Sequence, residues 1–386
     1  MSGGIVGETR GGALAGVTVL DFSTLLPGPM ATLLLAEAGA EVIKVERPPQ
    51  GEDMRFQEPF RNGVSVNFSL LNRGKRSVAL DLKDPSQRAR LDPLLARADV
   101  LVEQFRPGVM ERLGLGYAQL AERYPRLIYC SITGYGQTGP KRLRAGHDLN
   151  YIGDAGLLAL GHGDPQRPVV PPALVADIAG GAWPAVVNIL LALRAREATG
   201  RGCHIDISMT EGVLPFLYWA MGAALGAGHW PRNNGERVTG GSPRYRLYPT
   251  ADGRLAAVAA LEEKFWRAFC DAIGLAPEWR DDSRDPEGSA AAVAALIRAR
   301  PAAHWRAVFD AADCCCSIVA TLEEALADPH FAERGVFARK LADSMSSGAA
   351  APMPAIPVPI APALRDRAEV AAAPALGADN EALLGR

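Results

Sequence analysis

The first 150 residues switch repeatedly between two hydrophobic periods, and few folds tolerate that switching. "GVTVLDFS" (16–23) is short, apolar and β-branched, and "GPMATLLLAEAGA" (28–40) behind it is helical. "EVIKVER" (41–47) and "SVALDL" (77–82) read as further strands. "DPSQRARLDPLLARA" (84–98) reads as a helix that starts from an Asp cap and is interrupted at Pro93. "DVLVEQF" (99–105), a helical "GVMERLGL" (108–115) and "RLIYCSITGYG" (126–136) continue the series. Strands that are apolar throughout and separated by helices predict a mainly parallel sheet covered on both faces. Ligands of such sheets sit beyond the strand C-termini. The loops after residues 23, 47, 82, 105 and 133 are therefore the ones to inspect.

At 386 residues the chain exceeds one ordinary core, and its later part reads as a second, smaller unit. "LVADIAGGAWPAVVNILLALRAREATGRG" from 174 is a long apolar helix with a basic, glycine-closed end. Pro184 fits it only if the regular helix starts near Trp183 or kinks there. "CHIDIS" (203–208) is a strand and "EGVLPFLYWAMGAALGAG" (211–228) a helix. "HWPRNNGERVTGGSP" (229–243) is polar and glycine-rich, and reads as a linker. Beyond it come a hairpin turning at Ala251-Asp252-Gly253 and an amphipathic helix in "EEKFWRAFCDAIG". The division that follows is a large α/β domain over 1–228, a linker over 229–243 and a small α+β domain over 244–330. Residues 331–386, with "PMPAIPVPIAPAL", form a strap returning to the large domain.

Several functional classes drop out. A net charge of −2 gives no reason to expect a nucleic-acid partner. No run reads as apolar for long enough to span a bilayer, and "MSGGIVGETRGGALAG" is no signal peptide. Cys130, Cys203, Cys270 and the run Cys314-Cys315-Cys316 offer neither a disulfide framework nor a metal-ligand spacing. Reduced thiols in a cytoplasmic protein fit them best, with small buried residues as the role of the triplet. "GYGQTG" (134–139) matches a dinucleotide fingerprint only in its glycines. Pro140 and "KRLRAGHD" follow, where the fingerprint needs a helix, so the glycines read as places where backbone approaches another ligand.

"RLRAGHDLNYIGDAG" (142–156) places His147 and Asp148 behind a glycine, in material suited to a loop. Taken alone, His147 reads as a surface histidine, and Asp177 in "LVADIAGG" as a helix N-cap.

A wider pattern changes both readings. The elements "LPGPMATLLLAEAGAEVIKVERP", "NRGKRSVALDL", "EQFRPGVMERLGLG", "LIYCSITGYGQTGP", "AGHDLNY", "LVADIAGG" and "TADGRLAAVAALEEKFW" run nearly from end to end. With them the chain resembles the class III CoA-transferase family, and its "AGHDLNY" element resembles the racemase branch. The resemblance implies a large Rossmann-like domain and a small domain, closed into a ring and interlocked with a second chain as a homodimer. It implies an acyl-CoA thioester as substrate, no cofactor beyond the substrate's CoA moiety, and no metal.

The site residues follow from the same resemblance. His147 and Asp177 become acid/base groups facing each other across the α-carbon of a 2-methylacyl-CoA, in fatty-acid metabolism. Glu262 matches the glutamate that orients the histidine, although Glu263 here stands where the family usually has proline. Arg47 in "VERP" and Arg106 in "FRPG" follow strand ends, where guanidinium forks can hold phosphate oxygens, and Arg112 would add positive charge; Ala79, Leu80, Asp81 and Leu82 would pass backbone along the adenine, as in the family. The rest of "AGHDLNY", namely Ala145, Gly146, Asp148, Leu149, Asn150 and Tyr151, would contact the CoA ester. Lys75 would add positive charge, and Arg73 and Arg76 read as surface arginines. The alternative activity is CoA transfer between carboxylic acids, with Asp177 as nucleophile.

Overall fold

The computed structural model describes residues 11–342, 352–366 and 370–385. They divide into two compact units: 11–155, 173–215 and 332–385 form the first, and 156–172 with 216–331 the second.

The first unit is built on six strands, β1 (Thr18–Asp21), β2 (Glu41–Glu46), β3 (Arg76–Ala79), β4 (Val100–Glu103), β5 (Ile128–Thr133) and β6 (His204–Ser208). Their order is β6-β5-β4-β1-β2-β3 and every pairing is parallel. The mainly parallel sheet read from the strand-helix alternation is therefore present. The chain winds outward from β1 to β3, then returns to the other side of β1 for β4 to β6. That reversal leaves a crevice at the C-terminal ends of β1 and β4, where doubly wound sheets bind ligands.

Helix α1 (Pro27–Glu37) is buried along its whole length, as its uniformly apolar sequence requires, and begins on Pro27. The 84–98 segment breaks into two short helices, Pro85–Ala89 and Asp92–Arg97, with Pro93 in the first turn of the second.

The C-terminal end of β1 is tied down by buried charge. Asp21 is fully buried and accepts from Lys75 Nζ (3.0 Å), Thr32 Oγ1 (2.7 Å) and the Ser23 amide (2.9 Å). Lys75 also donates to Asn72 Oδ1 and the Pro29 carbonyl. Lys44 on β2 pairs with Glu52 at 2.9 Å and donates to the Ser23 carbonyl. Burial alone would raise the Asp21 carboxyl, but Lys75 and Lys44 hold it well below the usual carboxylate range. The "NRGKR" run is thus structural, which corrects its reading as a charged surface. Lys75 is buried, and Arg73 is buried against Glu37 at 2.8 Å. Arg76 pairs with Glu41 and Asp379.

The described residues of 332–385 belong to this unit. Asp379 accepts from Arg76 and from the Ser77 amide, and the Asp366 amide donates to the Glu37 carbonyl.

A π-helical stretch, Ala176–Ala182, precedes helix α3 (Trp183–Thr199), so Pro184 falls in the first turn of the regular helix. Together they make one run, Ala176–Thr199, long and apolar enough by composition to cross a membrane, which corrects the reading that no run is. Pro184 and the glycines split it in the sequence. In the fold Ala176, Gly180, Gly181, Ala185 and Ile189 are buried.

The second unit holds an antiparallel sheet of β7 (Tyr245–Pro249), β8 (Leu255–Ala259) and β9 (Cys316–Ile318). The predicted hairpin turns at Gly253, which takes φ +77°. Helices α4 (Glu263–Ile273), α5 (Pro286–Arg298) and α6 (Ala302–Ala311) cover the sheet around Trp266, Phe269, Ile297, Trp305 and Phe309. Residues 229–243 belong to this unit: Asn233 and Asn234 bond to the 160–163 segment, which fixes the polar stretch in place. All six cysteines are free, with Cys314 buried and Cys315 exposed.

The Asp21 network generates a stability prediction. Asp21→Ala leaves Lys75 and Lys44 buried without their shared partner, and should cost about 3–5 kcal/mol. Urea denaturation checks it, and a loss under about 1 kcal/mol would mean that the lysines are otherwise satisfied.

Candidate active site

Two cavities open at the crevice between β1 and β4, and both lie wholly in the first unit. Thr24, beyond β1, and Phe105, beyond β4, line both of them. The larger, about 700 Å³, is lined by Arg47, Leu80, Asp81, Leu82 and Arg112 among the expected residues. Lys83 and Arg88 join them, so four cations surround it. Its acidic residues are partly spent: Arg55 holds Glu46 through two 2.7 Å bonds, and Lys44 holds Glu52. Ala79 is not part of this wall. Its amide donates to Asn380 Oδ1 at 2.8 Å and its carbonyl accepts from Asn380 Nδ2, so Asn380 occupies the backbone expected to meet the adenine.

The second cavity, about 560 Å³, brings together Arg106, Ala145, Gly146, His147, Asn150, Tyr151 and Asp177. Arg106 lies here, away from Arg47 and Arg112. Sequence reading missed Thr133, Arg142 and Arg144 in the same wall. The two arginines stand immediately before "AGHD", a signal that was available.

His147 is exposed and occupies the N-cap of helix α2 (Asp148–Asp154, preceding α3 in the chain) with an extended backbone. Asn150 Oδ1 accepts the His147 amide at 3.0 Å, which fixes the histidine at the mouth of that helix. The Gly-His-Asp step thus reads correctly as a loop, but one that turns directly into a helix. Asp154, further along that helix, accepts from Tyr135, Lys141 and Arg144 and so pins the preceding loop.

The glycines of this region answer to Tyr151. A Cβ on Gly134 would lie 2.4 Å from the Tyr151 ring, and one on Gly146 would lie 2.7 Å from it. The Tyr151 hydroxyl donates to the Gly146 carbonyl. Gly134 is therefore explained by protein packing, which corrects the reading that it admits a ligand's backbone approach.

Asp177 lies inside the π-helical stretch, one residue past its start, and does not cap it. Gly180 and Gly212 allow this helix to meet the Met209–Val213 helix backbone to backbone: a Cβ on Gly212 would sit 2.1 Å from the Gly180 carbonyl oxygen. Asp148 is buried and does not line the cavity. Its Oδ1 accepts the Asp177 amide at 3.0 Å. Burial, followed by the Asp148 charge, pushes the Asp177 carboxyl up to about 6, against the opposing pull of His147. Burial and the nearby Asp177 likewise push the Tyr151 phenol up to about 12, so it stays a donor at neutral pH. Leu149 is exposed and outside the cavity.

Glu262 belongs to the second unit, at the exposed N-cap of α4, and its side chain makes no capping bond. The neighbouring Glu263 pairs with Arg244 and Arg267.

Fold and cavities define a doubly wound α/β protein with two neighbouring pockets at its switch point, one lined by four basic side chains and one lined by His147 and Asp177. A model described as CoA-transferase family III matches residues 14–380, and the chain belongs to that family. Human alpha-methylacyl-CoA racemase is 37% identical over 333 residues, 84% of this chain and 82% of the relative. Acetyl-CoA:oxalate CoA-transferase of Acetobacter aceti is 38% identical over 304 residues, 76% of this chain and 77% of the relative. The crystal structure of a CaiB/BaiF family protein from Brucella suis matches with a TM-score of 0.81 at 28% identity, covering 97% of this chain and 99% of that one.

The raised Asp177 carboxyl has a consequence for stability. Its folded value lies above the ordinary 3.8, so the native state is favoured by protonation and penalised as pH rises through about 6. Asp177→Asn removes that penalty. The variant should melt higher than wild type at pH 8, and the difference should vanish below about pH 4, where both states are protonated. Equal melting temperatures at both pH values would contradict the burial of this carboxyl.

Proposed function

We propose that the protein epimerises 2-methylacyl-CoA thioesters by two-base α-proton transfer between His147 and Asp177. The observation that carries this reading is a carboxyl raised to about 6 in the same cavity as a histidine. In one direction neutral His147 takes the α-proton and becomes imidazolium. Asp177, as the carboxylic acid, gives its proton to the opposite face and is left as carboxylate. The reverse direction exchanges the roles. Free imidazole (about 6.5) and free aspartate (about 3.9) differ by roughly 3.5 kcal/mol in proton affinity, which would disfavour one direction in water. Desolvation of Asp177 narrows that gap.

In this reading Arg47 and Arg112, with Lys83 and Arg88, hold phosphate oxygens of CoA in the larger cavity. Leu80, Asp81 and Leu82 flank the adenine, and the thioester enters the second cavity past Thr24 and Phe105. Asp148 acts on Asp177 through the amide it accepts and through its charge.

The similar Acetobacter transferase supports a second reading, in which Asp177 attacks a thioester carbonyl and passes CoA between acids. One experiment separates them. A single 2-methylacyl-CoA in deuterium oxide should lose stereochemical purity and gain α-deuterium with no added acid. His147→Ala should still bind the ester while exchange falls by roughly two to four orders of magnitude. A hydroxylamine-sensitive adduct on Asp177, with acid-dependent CoA exchange and no α-deuteration, would establish the transferase instead.

We also propose that the active form is an interlocked homodimer in which Glu262 of one copy orients His147 of the other. Glu262 carries no hydrogen bond from its carboxylate among the described residues, so it is free to take such a partner. Co-expressed Glu262→Ala and His147→Ala subunits should recover one working site per heterodimer. An inactive heterodimer, verified by mass, would place the contact within one chain or remove Glu262 from the site.

A further inference from the structure

One buried carboxylate beside the candidate site has no part in the chemistry above. Glu103 ends β4 and is 4% exposed; in register beside it Ser131 on β5 is 1% exposed, and Asp206 follows on β6. Two residues before Asp206, His204 stands on the exposed edge strand, and its Nε2 lies 3.0 Å from Ser131 Oγ. Its ring stacks on Tyr117 at 5.0 Å and meets Tyr129 edge-on at 5.4 Å. Ser131 thus neighbours both His204 and Glu103, and its hydroxyl lowers the Glu103 carboxyl.

The second Glu103 interaction points to the cavity. Glu103 Oε2 accepts the Phe105 amide at 2.8 Å, closing the turn that carries Gln104, Phe105 and Arg106. All three of those residues line the cavity of His147 and Asp177. Beneath the turn lies a void of about 10 Å³, room for one water, lined by Glu103, Arg106, Glu111, Ser131, Gln137 and His204. Gln137 Nε2 is buried there without a partner. The turn is also held by Gln104 Oε1, which accepts the Gly28 amide at 3.0 Å, and by Phe105, which packs on the hydrophobic core; Glu103 is its buried charged contact.

We propose that Glu103 is a positioning residue for the Arg106 turn, and that its grip depends on its own charge: the carboxylate holds the turn, and the acid releases it. The groups facing it favour such a change. Glu111 from the Val109–Arg112 helix and Asp206 from β6 are like charges, and Arg106 in the turn is the nearby cation. Tyr129, Tyr117 and His204 complete the surroundings. Burial pushes the Glu103 carboxyl up to about 7, against the Ser131 hydroxyl and the Phe105 amide, which lower it. The acid therefore forms just below neutral pH, and the Phe105 amide then loses its charged acceptor.

This inference rests on the CoA-ester reading of the cavities. Acetyl-CoA binding, measured by calorimetry between pH 5.5 and 8.5, tests it. Wild-type affinity should fall by about tenfold from pH 8 to pH 6, the scale of one weakened charge-assisted contact. Glu103→Gln offers the Phe105 amide only a neutral acceptor, like the acid, and cannot titrate, so its affinity should lose that fall and stay near the wild-type value at pH 6. The 3′-phosphate of the probe titrates in this range equally for every variant. Ser131→Ala removes a group that favours the carboxylate, so the midpoint should move to higher pH. Parallel pH profiles for wild type and Glu103→Gln would overturn the proposal. Should Glu103→Gln fail to fold, an unmoved midpoint in Ser131→Ala would overturn it alone. Failure of wild type to bind acetyl-CoA at any pH would remove the CoA reading, and this inference with it.

Discussion

The buried pairing of Asp21 with Lys75 and Lys44 is the constraint on which the crevice depends. It joins the end of β1 to β2, to the second turn of α1 through Thr32, and to the approach to β3 through Asn72. A parallel sheet needs a loop after every strand, and a loop at the switch point must be rigid if it is to shape a pocket. Charge supplies the rigidity here. Removing these ions from water is expensive, and the cost is offset only while each keeps its full set of partners. The Ser23 amide and carbonyl are both bound into the network, so Thr24 beyond them is held where the two cavities meet.

Opposite Thr24, Phe105 is fixed by a carboxylate of the same kind. Glu103 plays at β4 the part that Asp21 plays at β1, but with one difference in electrostatics. Asp21 has two lysines beside it that hold it well below the usual range, whereas burial, helped by the Glu111 and Asp206 charges, pushes Glu103 up to about 7. One wall of the crevice is thus permanently ionised and the other titrates near neutrality.

Much of this was legible in the sequence because hydrophobic period reports burial directly. The six strands, the break at Pro93 and the start of α3 at Trp183 all follow from apolar spacing and proline geometry. Charge was less legible, since a lysine or arginine carries no mark of what lies across the sheet from it. Arg73 and Lys75 look like a solvated basic run, and only Glu37 and Asp21, 36 and 54 positions away, make them interior residues. Ala79's backbone bond was illegible for the same reason, since its partner Asn380 lies 301 positions on. In the site, "AGHDLNY" marked His147 and Tyr151 but not the division of labour around them. Tyr151 accounts for Gly134 and Gly146, and Asp148 supports Asp177 from 29 positions away.

The placement of Asp148 bears on how one aspartate can belong to a family containing both a racemase and a transferase. A transferase nucleophile must be ionised, whereas a racemase donor must hold a proton for part of its cycle. At about 6, Asp177 is protonated in roughly one molecule in ten at pH 7, far more often than a free aspartate near 3.9. Burial makes the larger contribution to that shift and the Asp148 charge the next. A second carboxylate bonded to the backbone of the first would hinder a nucleophile by disfavouring its ionised form, but it suits a group that must both give and take a proton. His147 lines the same cavity and lowers Asp177, against burial and the Asp148 charge. Burial first and Asp148 second thus raise Asp177 toward the range that the proposed two-base exchange needs.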